Sequence, residues 1–546
     1  MNKTLNIIMA QVNPVVGDVA GNVEMILENV ERAVQLGGEL VLFPELTLTG
    51  YPPEDLLHHG GLRDQINAAI ERLLRRLPST VGVIIGAPEY SGGRMYNTAL
   101  LLANGEVVER YRKQLLPNYG VFDEKRYFQP GDAPCVVEFK GIPIGLTICE
   151  DLWEAGVAKQ NQQAGAELLV NISASPFALG KQIEREESVL ARRVDEAALP
   201  IVYVNLVGGQ DELVFDGGSI AMSRAGRAAL RAPAFEEGLY SVRVGSLEGI
   251  VDVEPGEVHR EASIEESVYK ALVMGTRDYV QKNGFPGAVL GLSGGIDSAL
   301  TLAVAVDALG AENVTAIMMP TEFTSDVSTA EAERQAQILG VEYRNLPIEK
   351  PVAAFNDLLA PVFEGLPPDT TEENIQARCR GVILMAMSNK TGRLLLTTGN
   401  KSEMAVGYAT LYGDMAGGFA PLKDVAKTLV YRLAKYRNTL GPAIPDVVIE
   451  REPSAELRAD QKDSDSLPPY GLLDAILEAY VEEDLSFETV VAKGFNREIV
   501  ERVVRMVQRN EYKRRQAPPG VKISRRAFGR ERRYPITSGY VHTWED

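Results

Sequence analysis

At 546 residues the chain is too long for one ordinary hydrophobic core, so two or more domains are expected. Fractions of 45% hydrophobic and 24% charged residues suit a globular protein, and a net charge of −19 argues against nonspecific nucleic-acid binding. No apolar run approaches a membrane span, and three cysteines (Cys135, Cys149, Cys379) are too few for a disulfide framework, so a cytoplasmic enzyme is expected. Met1-Asn2-Lys3-Thr4 leads straight into a strand rather than a signal peptide. Of the four histidines, His58 and His59 are adjacent and His259 and His542 lie far off, which makes no metal cluster.

Residues 5–12 read as a strand and 23–36 as an amphipathic helix closed by Gly37-Gly38. A buried strand, 40–43, ends at Pro44-Glu45; a helix, 62–77, and a strand, 81–85, follow. Asn104-Gly105 between apolar runs signals a hairpin. Strands at 142–148, 168–172 and 201–207, with a helix across 181–198, complete an α/β layered domain over 1–248. The acidic, proline-containing stretch 249–265 reads as a linker. The second domain, 266–546, opens with a helix and continues with strands at 288–292, 314–319, 344–347 and 394–396 separated by helices, a doubly wound pattern. From about residue 430 the chain is mainly helical and ends in a basic segment.

The second domain is organised around Ala288-Val289-Leu290-Gly291-Leu292-Ser293-Gly294-Gly295-Ile296-Asp297-Ser298. A buried strand runs into a glycine turn whose backbone N–H groups a phosphate can approach, and a helix then aims its positive end at the same point. Asp297 stands where a carboxylate can hold Mg²⁺ against phosphates. No Gly-Lys-Ser/Thr closes the loop, so it is not a Walker motif. Ser-Gly-Gly-Ile-Asp-Ser resembles the signature of the ATP-pyrophosphatase superfamily, which implies cleavage of ATP to AMP and pyrophosphate during adenylation of a substrate.

In the first domain, Glu45 follows a buried strand in Leu42-Phe43-Pro44-Glu45-Leu46, Lys113 lies in Tyr111-Arg112-Lys113-Gln114-Leu115, and Cys149 follows another strand in Thr147-Ile148-Cys149-Glu150-Asp151. Singly, these residues read as a solvated carboxylate, a surface amine and a small core residue. Together they resemble the Glu–Lys–Cys triad of the nitrilase (carbon–nitrogen hydrolase) superfamily and imply its αββα sandwich. In that chemistry Glu45 takes the thiol proton, Cys149 attacks a primary amide, and Lys113 holds the oxyanion. The glutaminase branch of the family implies amide-substrate contacts from Tyr119, Ser175 and Lys181.

Further along come Thr397-Thr398-Gly399-Asn400-Lys401-Ser402-Glu403, Tyr412-Gly413-Asp414 and Glu452-Pro453-Ser454-Ala455-Glu456-Leu457. On the glycine-turn frame this series resembles the NAD synthetases, and the upstream domain resembles that of their glutamine-dependent form. The resemblance implies a Rossmann-like parallel sheet of the ATP-pyrophosphatase type, with deamido-NAD⁺, ATP and L-glutamine as substrates, Mg²⁺ as cofactor, and a homo-oligomer. It also implies ATP contacts from Ser293, Gly294, Gly295, Asp297, Ser298, Thr398, Lys435 and Ser454. Mg²⁺ is expected on Asp297 and Glu403, and deamido-NAD⁺ on Asn374, Arg378 and Asp414. Two departures stand out. Met318-Met319 occupies the strand end where ammonia-dependent relatives tend to carry an arginine, and Ser464 replaces a glutamate in the loop from Gln461.

Overall fold

The computed structural model describes residues 4–459 and 461–540 and divides into two compact units, Met1–Ala262 and Ser263–Asp546. His542 lies outside the described residues. No helix among the described residues is long and apolar enough to cross a membrane.

The first unit carries two main sheets. One contains β1 (Thr4–Gln11), β2 (Leu40–Leu42), β3 (Gly82–Ser91), β4 (Arg94–Ala103) and β5 (Glu106–Arg112). The other contains β6 (Val136–Phe139), β7 (Ile142–Ile148), β8 (Leu168–Ser173) and β9 (Ile201–Asn205). A small hairpin, β10 (Val207–Gln210) with β11 (Leu213–Asp216), stands apart. β12 (Ile220–Met222) and β13 (Ala228–Arg231) extend the second sheet, and β14 (Gly238–Leu247) and β15 (Ile250–Val253) return to the first. The sheet orders are β15-β14-β1-β2-β3-β4-β5 and β13-β12-β9-β8-β7-β6.

Strand periodicity explains the layering. In β1, Leu5, Ile7 and Met9 join a core with Ile144, Leu146 and Ile148 of β7, while Ile8 and Ala10 pack with Val23, Ile26 and Val30 of the helix Val19–Gln35. Successive side chains thus serve the inter-sheet core and the helix-covered face in turn. Leu169, Ile201 and Tyr203 do the same on the outer face of the second sheet, against Leu190 and Val194. The result is the expected αββα sandwich.

Local signals account for many of the element ends. The Asp18 carboxylate accepts from Gly21 N at 2.9 Å and starts the first helix. Asn104 and Gly105 have φ of 55° and 78°, as the tight turn between β4 and β5 requires. Three readings change. The strand expected at 201–207 breaks at Leu206, because β9 and β10 belong to different sheets. The helix expected over 181–198 contains a wider π-helical stretch, Glu184–Leu190, around the buried Arg185. Within the acidic 249–265 stretch, Ile250–Val253 pairs with β14 as an edge strand, and the units part only at Ala262.

The second unit holds four parallel strands in the order β18-β17-β16-β19, where β16 is Ala288–Gly291, β17 Val314–Met318, β18 Glu342–Asn345 and β19 Leu394–Leu396. Val289, Ile317 and Leu395 are buried with Ile375 and Cys379 of the helix Thr370–Thr391. The strand order turns outward at β16, so loops leaving β16 and β19 open a crevice at their carboxyl ends. A separate helical core, including Leu473, Tyr480, Val500, Val504 and Val507, follows the sheet.

Candidate functional site

In the first unit Cys149 caps the end of β7 with φ 41° and ψ −100°, a backbone conformation an L-residue rarely adopts. Its N–H donates to Ile172 O at 3.0 Å, which ties the strained residue to β8. Asp151, two residues on, accepts from Ile148 N at 2.9 Å and from Gln114 N and Leu115 N at 3.1 and 2.9 Å. One buried carboxylate therefore locks the turn that carries the cysteine to the loop that follows Lys113. Burial raises the Asp151 pKa to about 6, against the opposing pull of those N–H donors.

Lys113 is buried, and its Nζ lies 2.7 Å from both Glu45 Oε1 and Glu124 Oε1. Asn97 and the N–H of Ala174 hold the Glu45 carboxylate at 2.7 and 3.1 Å, and Tyr51 OH donates to Glu124 at 3.0 Å. Burial works to lower the Lys113 pKa, but Glu124 and Glu45 together hold it well above the ordinary lysine value. Burial pushes the Cys149 thiol up; Glu45 adds to the rise and Lys113 opposes it. Burial thus disfavours ionisation of the resting thiol, which lies beside the buried Lys113–Glu45 pair.

Of the three residues expected at the amide, Tyr119 and Lys181 lie within electrostatic reach of this thiol, and Ser175 is held by Asn205. Tyr119 OH donates to Glu150 at 2.9 Å. The Ser175 backbone is held on both sides by Asn205, and Lys181 Nζ rests 3.8 Å from the centroid of the Trp153 ring. Two charged residues close by escaped the sequence reading. Glu124 sits among Asp123 and Lys125 like any surface acid, and only the tertiary fold buries it. Arg185, fully buried and paired with Asp216 at 3.0 Å, places an amino group 3.5 Å from Ser175 Oγ.

The backbone of the Glu45 segment presses against β3. A Cβ on Gly86 would lie 2.1 Å from Leu46 N and 2.9 Å from Glu45 Cα. Gly86→Ala must therefore shift the segment that carries the base, at a cost of about 1–3 kcal/mol. The expected result is a lower melting temperature and slower chemistry at Cys149; an unchanged melt with full activity there would contradict this packing.

In the second unit a cavity of about 280 Å³ opens at the carboxyl ends of β16 and β19. Ser293, Gly294, Gly295, Asp297, Ser298, Thr398, Glu403, Asp414 and Ser454 line it. Gly294 has φ 81°, and a Cβ there would meet Ser328 O at 2.3 Å, so the turn tolerates only glycine. Ser298 Oγ accepts from Ser293 N at 3.2 Å and sets the curl of the loop. Gly295 then caps the helix Ile296–Leu309, whose first N–H groups face the cavity as an anion site.

Lys427 Nζ bridges the two carboxylates expected to hold metal, 2.5 Å from Asp297 Oδ2 and 3.1 Å from Glu403 Oε1. Asn400 steadies both: its Nδ2 donates to Asp297 Oδ1 at 2.9 Å, and its Oδ1 accepts from Glu403 N at 3.0 Å. Burial raises the Glu403 pKa to about 7; Lys427 opposes the rise and Asp297 adds to it. The Lys427 ammonium holds the point between the two carboxylates; carboxylate oxygens of this kind fit Mg²⁺, which takes few protein ligands and completes its shell with phosphates and water.

Three expected ligand residues fall outside the cavity lining. Lys435 is exposed on the helix Lys427–Thr439. Eight residues on from Lys427 it is rotated by roughly 80° and displaced by about 12 Å. The lysine at the cavity is Lys427, which the sequence reading passed over. Asn374 and Arg378 lie on the helix Thr370–Thr391 against the segment beyond the helix Lys401–Val406, where Thr410 Oγ1 donates to Asn374 at 2.9 Å and Arg378 Nε donates to Leu411 O at 3.3 Å.

Comparison with known proteins matches each unit to a family. Residues 7–247 match the carbon–nitrogen hydrolase family and residues 268–517 the NAD synthase family. The chain is 48% identical over 541 residues to the glutamine-dependent NAD(+) synthetase of Acinetobacter baylyi, covering 98% of this chain and 99% of the relative. It is 49% identical over 545 residues to that of Xylella fastidiosa, covering 99% and 100%. The structure of glutamine-dependent NAD+ synthetase from Acinetobacter baumannii in complex with ADP is similar at a TM-score of 0.80 and 45% identity, covering 99% of this chain and 100% of that one.

Proposed function

The chain belongs to the glutamine-dependent NAD⁺ synthetase family, and we propose that its two units divide that reaction between them. The observation that carries the proposal is the presence of both halves of the chemistry in one chain: a Glu45–Lys113–Cys149 site in the first unit, and a phosphate loop with paired carboxylates in the second.

In the first unit, glutamine offers its amide carbon to Cys149. Glu45 takes the thiol proton as the sulfur attacks, and the Lys113 ammonium stabilises the tetrahedral oxyanion. Collapse of that intermediate breaks the C–N bond, and Glu45 returns its proton to the departing nitrogen, giving NH₃. Glu45 then activates water, which cleaves the thioester to glutamate and restores the thiol. Glu124 keeps Lys113 protonated throughout.

In the second unit, the Ser293–Ser298 loop and its helix N-terminus bind ATP phosphates, with Thr398 and Ser454 beside them. The nicotinate carboxylate of deamido-NAD⁺ attacks the α-phosphorus, and pyrophosphate leaves. Ammonia then displaces AMP to give the carboxamide. Asp297 and Glu403 would hold Mg²⁺, which when bound neutralises charge on the pyrophosphate. Lys427 supplies a further positive charge at the same point. Asp414, an exposed residue of the cavity lining whose carboxylate accepts from Thr410 N at 2.7 Å, would contact the nicotinate end of deamido-NAD⁺.

The proposal includes a cytoplasmic homo-oligomer. Free Cys135, Cys149 and Cys379 agree with a reducing compartment, and the apolar side chains of Leu358, Val362 and Leu366 are 71%, 70% and 66% exposed, as residues covered by a second copy would be. The test of function is product analysis with ATP, Mg²⁺ and glutamine. AMP, pyrophosphate and NAD⁺ are expected in equal amounts, and only when deamido-NAD⁺ is present. Release of AMP with a different carboxylate and none with deamido-NAD⁺ would assign the adenylation to another substrate.

A further inference from the structure

Among the described residues, three cationic side chains line the cavity of the second unit: Arg380, Lys427 and Arg451. Two are neutralised within the protein. Lys427 is paired with Asp297 and Glu403, and Arg451 with Glu456. Arg380 differs. Its Nε donates to the carbonyl of Met319 at 3.0 Å, and among the described residues no carboxylate is in ion-pair contact with it. Glu456 and Asp414 act on it only at longer range, and burial lowers its pKa without bringing an arginine near neutrality.

A half-buried guanidinium that lines the cavity with no acid beside it is open to a ligand that supplies the anion. The Nε bond to Met319 fixes the plane of the fork and leaves both terminal amino groups for that ligand. Its place in the fold says which ligand. Met319 follows the end of β17, and Leu384 lies one helical turn beyond Arg380 on the helix Thr370–Thr391. A Cβ on Gly291, at the root of the phosphate loop, would meet Met319 Cε and Leu384 Cδ1, each at 3.4 Å. Arg380 therefore stands beside the strand that delivers the loop. The apolar Met318 and Met319 provide no cation at that strand end themselves.

The geometry points to Arg380 as an ATP-binding residue whose two free amino groups hold the α-phosphate. The loop and its helix N-terminus serve the outer phosphates that leave as pyrophosphate. Arg380 takes the phosphate that remains with the adenylate, so its contact persists from ATP through the acyl-adenylate to AMP. This assignment rests on the synthetase reading of the cavity. A role confined to packing would need only the Nε–carbonyl bond, and that bond leaves ligand affinity unaffected.

The test uses the full chain with ammonium chloride as nitrogen source, so that the glutamine site is not involved. For Arg380→Gln, KM for ATP should rise at least 10-fold while KM for deamido-NAD⁺ stays within twofold; Arg380→Lys, which keeps the charge, should recover part of the loss. Calorimetric titration should show ADP and AMP binding weakened to a similar degree, with adenosine binding unchanged. A rise in KM confined to deamido-NAD⁺, or ADP affinity equal to wild type, would overturn the assignment. Should Arg380→Gln fail to fold, Arg380→Lys carries the same comparison, and wild-type ADP affinity in that variant would also count against it. If the wild-type chain releases no AMP with deamido-NAD⁺, the synthetase reading fails; if it does and the Arg380 variants match it, only this inference fails.

Discussion

Cys149→Ala should make no NAD⁺ from glutamine yet keep its synthesis from ammonium salts. The first half follows from covalent chemistry, since without the sulfur no thioester forms; a loss of at least about 10³-fold is expected. The second half follows from the fold. The partners that surround Cys149 lie in the unit Met1–Ala262, whereas the phosphate loop, Asp297, Glu403 and Lys427 belong to Ser263–Asp546. Alanine also suits the buried turn and removes only the sulfur. Chromatographic assay of NAD⁺ with glutamine and then with ammonium chloride separates the two statements. Equal loss with both donors would mean that Cys149 is needed beyond glutamine hydrolysis.

Lys427→Ala should be about as damaging to ammonium-driven synthesis as Asp297→Asn or Glu403→Ala. Each removes one member of a three-charge cluster whose ammonium lies 2.5 and 3.1 Å from the two carboxylates. Without Lys427 the carboxylates face each other uncompensated, and charge developing on pyrophosphate loses a counter-ion. An effect of order 10²-fold in kcat, about 3 kcal/mol in the barrier, is expected for each. Lys435→Ala, on the exposed face of the same helix, should stay within about twofold of wild type. The measurement is kcat with ammonium chloride at saturating Mg²⁺, with thermal melts to separate folding from catalysis. Near-normal turnover of Lys427→Ala together with collapse of Lys435→Ala would reverse the assignment.

The contrast between those lysines shows how far the amino-acid sequence could be read. Both lie on one basic helix, and which of them meets the cavity depends on how the helix is rotated against β16 and β19. That rotation is set by contacts distant in sequence. Glu45, Cys149 and Asp297 were legible because each lies in a short stretch after a buried strand that resembles a family motif; singly, Glu45 and Cys149 read as an ordinary carboxylate and a core thiol. Glu124 and Arg185 were not, since nothing in their neighbours distinguishes a buried charge from a solvated one until the second strand of contacts is known. The fold followed the same rule. The apolar run 5–12 revealed a strand, though only the packing shows that both its faces are covered, and Asn104-Gly105 revealed its hairpin. The break at Leu206 is invisible in an apolar run that passes from one sheet to another. Ile250–Val253 looked like linker because an edge strand can be acidic and still pair through its backbone.

The central claim is that nitrogen freed at Cys149 ends in the carboxamide made at the Ser293–Ser298 loop. It is tested by incubating the protein with ATP, Mg²⁺, deamido-NAD⁺ and glutamine labelled with ¹⁵N at the amide, in buffer containing unlabelled ammonium. Mass spectrometry of the product should show ¹⁵N in the carboxamide of NAD⁺ well above the bulk ammonium ratio, with one AMP and one pyrophosphate for each NAD⁺. NAD⁺ carrying only unlabelled nitrogen while glutamate accumulates would show two independent activities on one chain. Absence of NAD⁺ with both nitrogen sources present would contradict the account outright.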